Sequence, residues 1–215
     1  MLLNVVRRLP LPFSVLWMGV FCLTCHDTGW ARDEKAEPTR ERVAMVLLVD
    51  ALFMRPPVYE LLANAEQTII TPAVLTPDGQ CVYVDEAGFK ALGLTFEEML
   101  PQTVALANQL LKEISPVFER DENQVISFAL LESGSPFASS LLLSNQLLST
   151  FRQTLGGRIH VVVPSRSKLF LFPPGEAPLH EERLRLEYRT ALYPVSLEVF
   201  EISRRGLTAV GTLRP

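Results

Sequence analysis

One short polar loop carries the clearest sign of ligand binding in this sequence. Ser133, Gly134 and Ser135 stand between an apolar stretch that predicts a strand and a stretch that predicts a helix. Backbone N–H groups at such a junction can bind an anion or a peptide carboxylate, because the helix dipole adds positive charge there. Arg166 is the cation that we expect to supply the countercharge. The sequence therefore predicts a ligand-binding site formed by Ser133, Gly134, Ser135 and Arg166.

Patterns typical of catalysis and of metal binding are missing from the sequence. His160 and His180 have no histidine or cysteine neighbour at a spacing that metal sites use. No serine stands in a G-x-S-x-G turn, and no glycine-rich phosphate loop follows a predicted strand. The acidic pairs Asp85-Glu86 and Glu97-Glu98 stand at predicted helix starts, where the helix dipole favours negative charge. We therefore expect no catalytic residue, no metal and no cofactor.

A site assembled from distant residues is the alternative. Asp85, Ser135, His160 and Arg166 carry side chains that hydrolysis or small-ligand binding would use. This alternative makes the protein an envelope hydrolase or a small-ligand-binding protein. It requires at least two of these side chains to meet in one cleft.

The first 31 residues have the composition of a secretory signal peptide. Arg7 and Arg8 precede an uncharged, mostly apolar stretch over residues 11–25, and the Gly-Trp-Ala sequence at residues 29–31 has the small residues of a cleavage site. We expect the protein to be exported to the periplasm or secreted.

The remainder of the chain is predicted to form one domain. Residues 32–38 are a charged linker without apolar periodicity, and residues 39–215 follow as a single domain. Membrane anchoring through residues 11–25 is the alternative to cleavage, because this stretch is close to the length that spans a bilayer.

Composition excludes a nucleic-acid-binding protein that depends on a basic surface. The chain carries 20 Lys and Arg against 24 Asp and Glu, a formal net charge of −4, whereas phosphate contacts require clustered basic residues. Cys81 is the one cysteine beyond the predicted signal peptide. Because an internal disulfide needs two cysteines, we expect the hydrophobic core to hold the domain together.

The start of the predicted domain has the pattern of buried helices. Residues 39–54 contain an apolar run that ends ahead of Pro56-Pro57, which stop a helix. A second short helix is predicted over residues 58–65.

A hairpin is predicted next. Thr68–Leu75 is rich in β-branched residues, and Pro72 favours an edge position for this strand. Residues 77–79 (Pro-Asp-Gly) predict a turn, and residues 81–84 predict the returning strand.

Two helices follow the hairpin. Residues 85–92 predict a short helix closed by Gly93. Thr95 and Glu98 have the spacing of a capping box that starts the second helix. Pro101 lies inside that helix, where we expect it to cause a kink or a restart.

The second half of the chain contains further hairpins and helices. Strands are predicted over residues 125–131, 159–163, 169–172, 195–202 and 207–213, with turns at 164–167 and 204–206. One predicted helix places Leu141, Leu148, Phe151 and Leu155 on one face, and another runs from Pro178 to about Leu192, although alternation over 183–189 is also compatible with a strand. Antiparallel hairpins separated by helices predict an α+β fold, a mixed or mostly antiparallel sheet with helices packed on it.

Three stretches in this order resemble a known family. VYVDEAGFKALGLTFEEML (82–100), SGSPFASSLLL (133–143) and VVVPSRSKLFLF (161–172) are similar to the YtpQ-like family of uncharacterised bacterial proteins. The resemblance extends over residues 68–213, and the leader together with Pro101 makes this chain a divergent, exported relative. The family has no assigned activity, so the resemblance implies one α+β domain of bacterial origin and no catalytic residue.

The function predicted from these observations is a non-catalytic binding module. An exported domain without a catalytic constellation is expected to bind another protein, an envelope component or a ligand. An apolar groove or an unpaired sheet edge, such as the strand with Pro72, is where we expect a partner to dock. We expect no nucleic-acid partner, and a membrane partner only if the leader is not cleaved.

Overall fold

The computed structural model describes residues 44–76 and 80–214, which belong to one compact unit, Glu41–Pro215. The predicted signal peptide over residues 1–31, the linker over 32–38 and the turn at 77–79 lie outside the described residues. The strands of the described ranges are β1 (Ala44–Ala51), β2 (Glu60–Leu61), β3 (Thr68–Leu75), β4 (Cys81–Tyr83), β5 (Val117–Arg120), β6 (Ile126–Glu132), β7 (Ile159–Ser165), β8 (Lys168–Phe172), β9 (Glu198–Ser203) and β10 (Gly206–Thr212).

Helices lie between groups of these strands along the chain. The α-helices of the described ranges are α1 (Glu86–Leu92), α2 (Phe96–Glu113), α3 (Leu147–Leu155) and α4 (Glu181–Thr190). Short 3-10 helices cover Leu52–Met54, Ala138–Leu143 and Ala177–His180. We call Ala138–Leu143 the serine helix, because Ser139 and Ser140 lie in it.

The strands form two antiparallel sheets. The four-stranded sheet has the order β1-β3-β2, with β4 also paired to β3, and the six-stranded sheet has the order β10-β9-β7-β8-β6-β5. Every strand pairing among the described residues is antiparallel. The predicted α+β fold built from hairpins is confirmed, with two sheets.

The central strands of the six-stranded sheet are buried on both faces. Alternate residues of β6, β7 and β8 therefore belong to different apolar clusters. One cluster, packed on α3 and the serine helix, contains Ala129, Leu131, Val161, Val163, Leu169 and Leu171. The cluster on the opposite face, which includes Leu184 of α4, contains Phe128, Leu130, Val162, Phe170 and Phe172.

The prediction of a buried helix over residues 39–54 is wrong. Its apolar run forms strand β1, which pairs with β3 from Ala44 opposite Leu75 to Ala51 opposite Thr68. Residues 46–51 are all buried. A strand buried on both faces gives a continuous apolar run without alternation, which periodicity does not separate from a buried helix.

The predicted helix over residues 58–65 is also wrong. Within this stretch the structure has only the two-residue strand β2, which pairs with β3. Backbone and side-chain hydrogen bonds explain the difference, because they run across to β3: the Leu62 N–H donates to the Thr68 carbonyl at 3.1 Å, and the Thr71 hydroxyl donates to the Val58 carbonyl at 2.8 Å. These contacts replace the local bonds that a helix would make.

The hairpin of β3 and β4 is confirmed, but the edge position predicted from Pro72 is wrong. Strand β3 is central, with β1 on one side and with β2 and β4 on the other. Pro72 lies between the segment paired with β2 and the segment paired with β4, where only its carbonyl is used, by the Val84 N–H at 3.0 Å. A gap between two short partners thus accommodates the residue that lacks an N–H.

The helix predictions over residues 85–113 hold with one exception. Asp85 caps α1 by accepting from the Gly88 N–H, and Gly93 ends it at φ 63°. Thr95 and Glu98 form the predicted capping box of α2. The predicted restart at Pro101 is wrong, since α2 runs through this residue as one helix.

The sequence predicted one helix that contains Leu141 and Leu155, but the structure has two, the serine helix and α3. The serine helix ends at Ser144, whose backbone is extended at ψ 122°, and α3 begins at Leu147. The Ser144 hydroxyl accepts from the Gln146 N–H at 3.2 Å and donates to the Asn108 side chain at 2.6 Å. Serine side chains that bond the local backbone compete with helix continuation, which accounts for the break.

The hairpins of β7 with β8 and of β9 with β10 are confirmed. The first turn is tighter than predicted, because Pro164 and Ser165 belong to β7 and only Arg166 and Ser167 connect the strands. The helix predicted from Pro178 is confirmed as a 3-10 turn followed by α4, which excludes the strand alternative over 183–189. The exposed strand β5 was not predicted.

Side-chain hydroxyls close the outer edge of β1. The Leu47 N–H donates to the Thr103 hydroxyl at 2.8 Å, and the Val49 N–H donates to the Ser140 hydroxyl at 2.9 Å. Ser140 donates to the Leu47 carbonyl at 3.1 Å, and Ser139 donates to the Val49 carbonyl at 2.6 Å. All three hydroxyl residues are buried. The serine helix and α2 therefore take the place of a neighbouring strand.

Replacing Ser140 with alanine is expected to lower the free energy of unfolding by about 2 kcal/mol, because a buried N–H and a buried carbonyl of β1 lose their shared partner. Urea unfolding of the Ser140→Ala variant measures the loss. The control is Ser149→Ala on α3, where an exposed hydroxyl bonds only the Gln146 carbonyl of its own helix, and where we expect a change below about 0.5 kcal/mol. Equal losses in the two variants would contradict the role of Ser140.

Glu198 of β9 connects the six-stranded sheet to the start of β3. Its carboxylate accepts from the N–H groups of Glu66 at 2.5 Å, Gln67 at 3.2 Å and Thr68 at 2.8 Å. The Thr68 hydroxyl donates to the same carboxylate at 2.5 Å. Glu198 is 1% exposed, so this buried charge is stabilised by hydrogen-bond donors rather than by water.

Candidate functional site

The predicted polar loop lies between β6 and the serine helix, beside the turn from β7 to β8. The Ser133 N–H donates to the Ser167 carbonyl at 3.0 Å, and the Ser135 N–H donates to the Ser133 hydroxyl at 3.1 Å. The Ser135 hydroxyl in turn accepts from the Phe137 N–H at 3.2 Å. These amide groups are therefore bonded within the chain, in the manner of serine turns. Anion binding by Ser133, Gly134 and Ser135 stays a prediction.

Arg166 contacts this region through its backbone, while its side chain points to another partner. The Arg166 carbonyl accepts from the Ser139 N–H at 2.8 Å. The guanidinium binds Asp50 at the end of β1, with Nη2 2.5 Å from Oδ2 and Nε 3.2 Å from Oδ1. Asp50 is 0% exposed. The structure thus pairs Arg166 with a carboxylate that the sequence analysis placed in a helix, and a role for Arg166 toward an anion stays a prediction.

Two tyrosines complete the surroundings of this ion pair. The Tyr83 hydroxyl donates to Asp50 Oδ2 at 2.5 Å and accepts from Arg166 Nη2. The rings of Tyr83 and Tyr193 lie 5.5 and 4.8 Å from the guanidinium carbon. We call Asp50, Tyr83, Arg166 and Tyr193 the Asp50 cluster. Its members come from β1, β4, the turn from β7 to β8, and the segment after α4, so it joins the two sheets.

The electrostatics of the Asp50 cluster favour a neutral Tyr83 and a charged Arg166. Burial, and then the hydrogen bond to Asp50, raise the pKa of Tyr83. Burial alone would lower the pKa of Arg166, but the hydrogen bond to Asp50 and the charge of Asp50 outweigh it and raise that pKa. Burial raises the pKa of the nearby Cys81 thiol to about 11. None of these three groups is poised to exchange a proton near neutral pH, and Cys81 is not an activated thiolate.

The four residues of the hydrolase alternative lie in separate contacts. Asp85 caps α1, Ser135 bonds within its own loop, and Arg166 belongs to the Asp50 cluster. His160 on β7 accepts from the Gly175 N–H through Nδ1 at 3.3 Å, and its Nε2 lies 3.8 Å from Glu201. In the described part of the chain, no hydrogen bond or ion pair joins any two of the four. The envelope hydrolase or small-ligand-binding alternative stays a prediction.

The other histidine of the sequence analysis, His180, packs against aromatic rings, and the described residues contain no group of metal ligands. The His180 ring packs on Phe128 and Phe172, with ring centroids 5.0 and 5.5 Å away. Among residues 44–76 and 80–214, no three side chains of the types His, Cys, Asp and Glu are grouped as metal ligands would be.

Removing the His160 imidazole is expected to weaken the pH dependence of stability. Burial lowers the pKa of His160, and the opposing attraction of Glu201 is smaller. The unfolded chain therefore binds the proton more readily than the folded chain does. As a result, the free energy of unfolding has its full value above about pH 6.5 and decreases as the pH falls below that value.

The variant for this prediction is His160→Gln, which keeps an acceptor for the Gly175 N–H. Urea unfolding at pH 7.5, 6.5 and 5.5 should show wild type losing more stability than His160→Gln toward low pH. Parallel profiles would contradict a folded-state pKa below the usual histidine value.

A groove that the sequence analysis did not predict is formed by the segment that connects β1 to β3. It has a volume of about 580 Å³ and is lined by Leu52, Phe53, Arg55, Pro56, Tyr59 and Gln67. We call it the Phe53 groove. The Leu52 N–H donates to the Gln67 carbonyl at 2.7 Å and joins the two ends of the segment that forms it.

The Phe53 groove presents aromatic rings and one cation to solvent. Phe53 is 54% exposed and Tyr59 is 46% exposed. Arg55 has a left-handed backbone, φ 49° and ψ 52°, at the end of the 3-10 helix Leu52–Met54. The sequence signal for this groove was two aromatic residues on either side of Pro56-Pro57, which the sequence analysis assigned to two predicted helices. The arrangement can bind an apolar group and a negative charge together.

Comparison of the chain with protein-family models, with curated proteins and with solved structures found no match. The resemblance to the YtpQ-like family stays a prediction.

Proposed function

We propose that this protein is an exported, non-catalytic module that binds a segment of another protein in the Phe53 groove. The observation that carries the proposal is the pair of half-exposed rings, Phe53 and Tyr59, in one groove of about 580 Å³. Burying the exposed half of each ring against a partner contributes about 1 kcal/mol per ring. Aromatic anchors in a concave site are the usual centres of protein interfaces.

The buried polar groups support binding over catalysis. The Asp50 cluster satisfies its own charges, and the pKa values of Tyr83 and Cys81 are raised away from neutrality. The side chains named for a hydrolase make their hydrogen bonds to other partners: Asp85 caps a helix and Arg166 binds Asp50. A panel of ester and phosphoester substrates tests the enzyme alternative, and turnover abolished by a change at Asp85, Ser135, His160 or Arg166 would replace the proposal.

Export is the second part of the proposal, and the composition of residues 1–31 supports it. Within residues 44–76 and 80–214, each helix falls short of the length or the apolar composition that spanning a bilayer requires. Intact-mass measurement of the protein from its native cells should find a chain that begins at Arg32. An intact N-terminus in the membrane fraction would favour anchoring through residues 11–25, and one in the cytosol would contradict export.

A display selection tests the groove itself. A random peptide library is selected on the purified wild-type chain, and the recovered peptides are measured against the double variant Phe53→Ser/Tyr59→Ser. We expect at least a tenfold loss of affinity in this variant. The matched control is Val125→Ser/Leu186→Ser, which removes two exposed apolar side chains that do not line the groove and should keep wild-type affinity. Equal losses in both variants, or no recovered peptide, would contradict the groove as the binding site.

A further inference from the structure

The Phe53 groove carries a single charge that has no partner in the described residues. Its six lining residues include one cation, Arg55, and no carboxylate. Among residues 44–76 and 80–214, no ion pair or hydrogen bond reaches the Arg55 guanidinium. Arg55 is exposed, so water solvates its charge in the free protein. A partner that covers Arg55 must therefore provide the balancing charge, since an unpaired charge is costly to remove from water.

The backbone of Arg55 gives a second reason to assign its side chain a role. Its φ of 49° lies in the left-handed region, and its N–H closes the 3-10 turn by donating to the Leu52 carbonyl at 3.0 Å. Glycine is the residue that this conformation favours at the end of a helix. A non-glycine residue here is strained, and such a residue beside a binding surface indicates function.

Gln67 adds the group that a peptide backbone would use. Its N–H bonds Glu198, whereas no described residue hydrogen-bonds its exposed side-chain amide. That amide offers one carbonyl acceptor and an NH2 donor, which match the N–H and the carbonyl of a peptide unit. An extended peptide is therefore a better chemical fit than a purely apolar ligand.

The bonded backbone N–H groups of the groove favour an acidic side chain over a terminal carboxylate as the negative group of the ligand. Terminal carboxylates are usually captured by several free backbone N–H groups. Here the N–H groups of Leu52, Arg55 and Gln67 are already bonded, to the Gln67 and Leu52 carbonyls and to Glu198, and the Arg55 guanidinium is the charged donor among the lining residues. An Asp or Glu side chain within a peptide fits a guanidinium fork without requiring free N–H groups.

We propose that the Phe53 groove binds an extended internal peptide segment in which an acidic side chain neighbours an aromatic or aliphatic one. The acidic side chain pairs with Arg55, the apolar side chain contacts Phe53 and Tyr59, and the peptide backbone bonds the Gln67 amide. This inference rests on the proposed binding function of the groove and names the class of its ligand.

Charge reversal of Arg55 tests the inference. The same random peptide library is selected on the wild-type chain and on Arg55→Glu. In the wild-type pool we expect Asp and Glu next to an apolar residue to be enriched at least threefold over the library. The Arg55→Glu pool should instead be enriched in Lys and Arg. Acidic enrichment that is unchanged in Arg55→Glu, or absent from the wild-type pool, would overturn the ligand class.

The Arg55→Gly variant tests whether the acidic preference of the selected peptides depends on the Arg55 side chain rather than on misfolding. Glycine suits the left-handed backbone at this position, so this variant should melt at the wild-type temperature or above while losing the acidic preference. If Arg55→Gly retains the acidic preference, Arg55 does not select the ligand.

The display results separate the two proposals. Wild-type peptides that bind Phe53→Ser/Tyr59→Ser as well as wild type mean that the groove is not the site, and the proposed function fails. Peptides that depend on Phe53 and Tyr59 but show no charge preference leave the binding function standing and overturn only the acidic class.

Discussion

Replacing Arg166 with methionine is expected to lower the free energy of unfolding by about 3–5 kcal/mol, because the change leaves the carboxylate of Asp50 buried without its counterion. Asp50 is 0% exposed, and the guanidinium binds it through two nitrogens. Methionine retains much of the volume between Tyr83 and Tyr193, so the loss reports the charge more than the packing. Urea unfolding of Arg166→Met measures it.

The controls for this prediction separate a buried from an exposed ion pair. Arg183→Met breaks a bridge to Glu119 in which both side chains are at least 40% exposed, and the expected loss is about 0–1 kcal/mol. The double variant Asp50→Asn/Arg166→Met removes both charges and should recover part of the loss, which a double-mutant cycle quantifies. A loss in Arg166→Met no larger than that in Arg183→Met would contradict the account of the Asp50 cluster.

Replacing Glu198 with glutamine is expected to lower the free energy of unfolding by about 3 kcal/mol, because a side-chain NH2 then faces N–H donors that need an acceptor. The wild-type carboxylate serves the N–H groups of Glu66, Gln67 and Thr68 and the Thr68 hydroxyl. Hydrogen exchange at these three amides should accelerate together in Glu198→Gln.

Glu201→Gln on the same strand is the matched control for Glu198. The Glu201 side chain is 22% exposed and lies near Arg158 and His160, and its replacement is expected to cost less than about 1 kcal/mol. If both variants lose the same stability, the connection between the sheets does not depend on the carboxylate of Glu198.

The sequence contained enough information for the hairpins, because they are local. Strands β7 and β8 are runs of apolar, β-branched and aromatic residues on either side of a short polar turn. Strands β9 and β10 have the same pattern around Arg204 and Arg205. The capping box could be predicted for the same reason, because its two partners, Thr95 and Glu98, are only three residues apart. Local chemistry thus predicted these elements and their boundaries to within a few residues.

Strand β1 could not be predicted because nothing near it in the chain identifies it as a strand. Its partner β3 begins 17 residues after it ends, and the hydroxyls on its other edge come from Thr103, Ser139 and Ser140. A run buried on every side has neither a period of two nor one of 3.6. The error at residues 39–54 also concealed the role of Asp50.

The Asp50 cluster and the Phe53 groove were missed for different physical reasons. Asp50 and Arg166 are 116 residues apart, and only the tertiary fold brings them into contact. The groove depends on a backbone turn at Arg55 and on a contact from Leu52 to Gln67. Its exposed aromatics were visible in the sequence, but only the structure shows that they share a concave surface.

The polar contacts between the sheets constrain the order in which this protein folds. The residues that they join are 130 positions apart for Glu198 and Thr68, and 116 apart for Arg166 and Asp50. Closing loops of this length costs chain entropy before any contact compensates for it. Strands β1 to β4 are therefore expected to gain protection late in refolding, after the hairpins of the six-stranded sheet, and the whole chain to refold on the millisecond-to-second scale of topologies dominated by distant contacts.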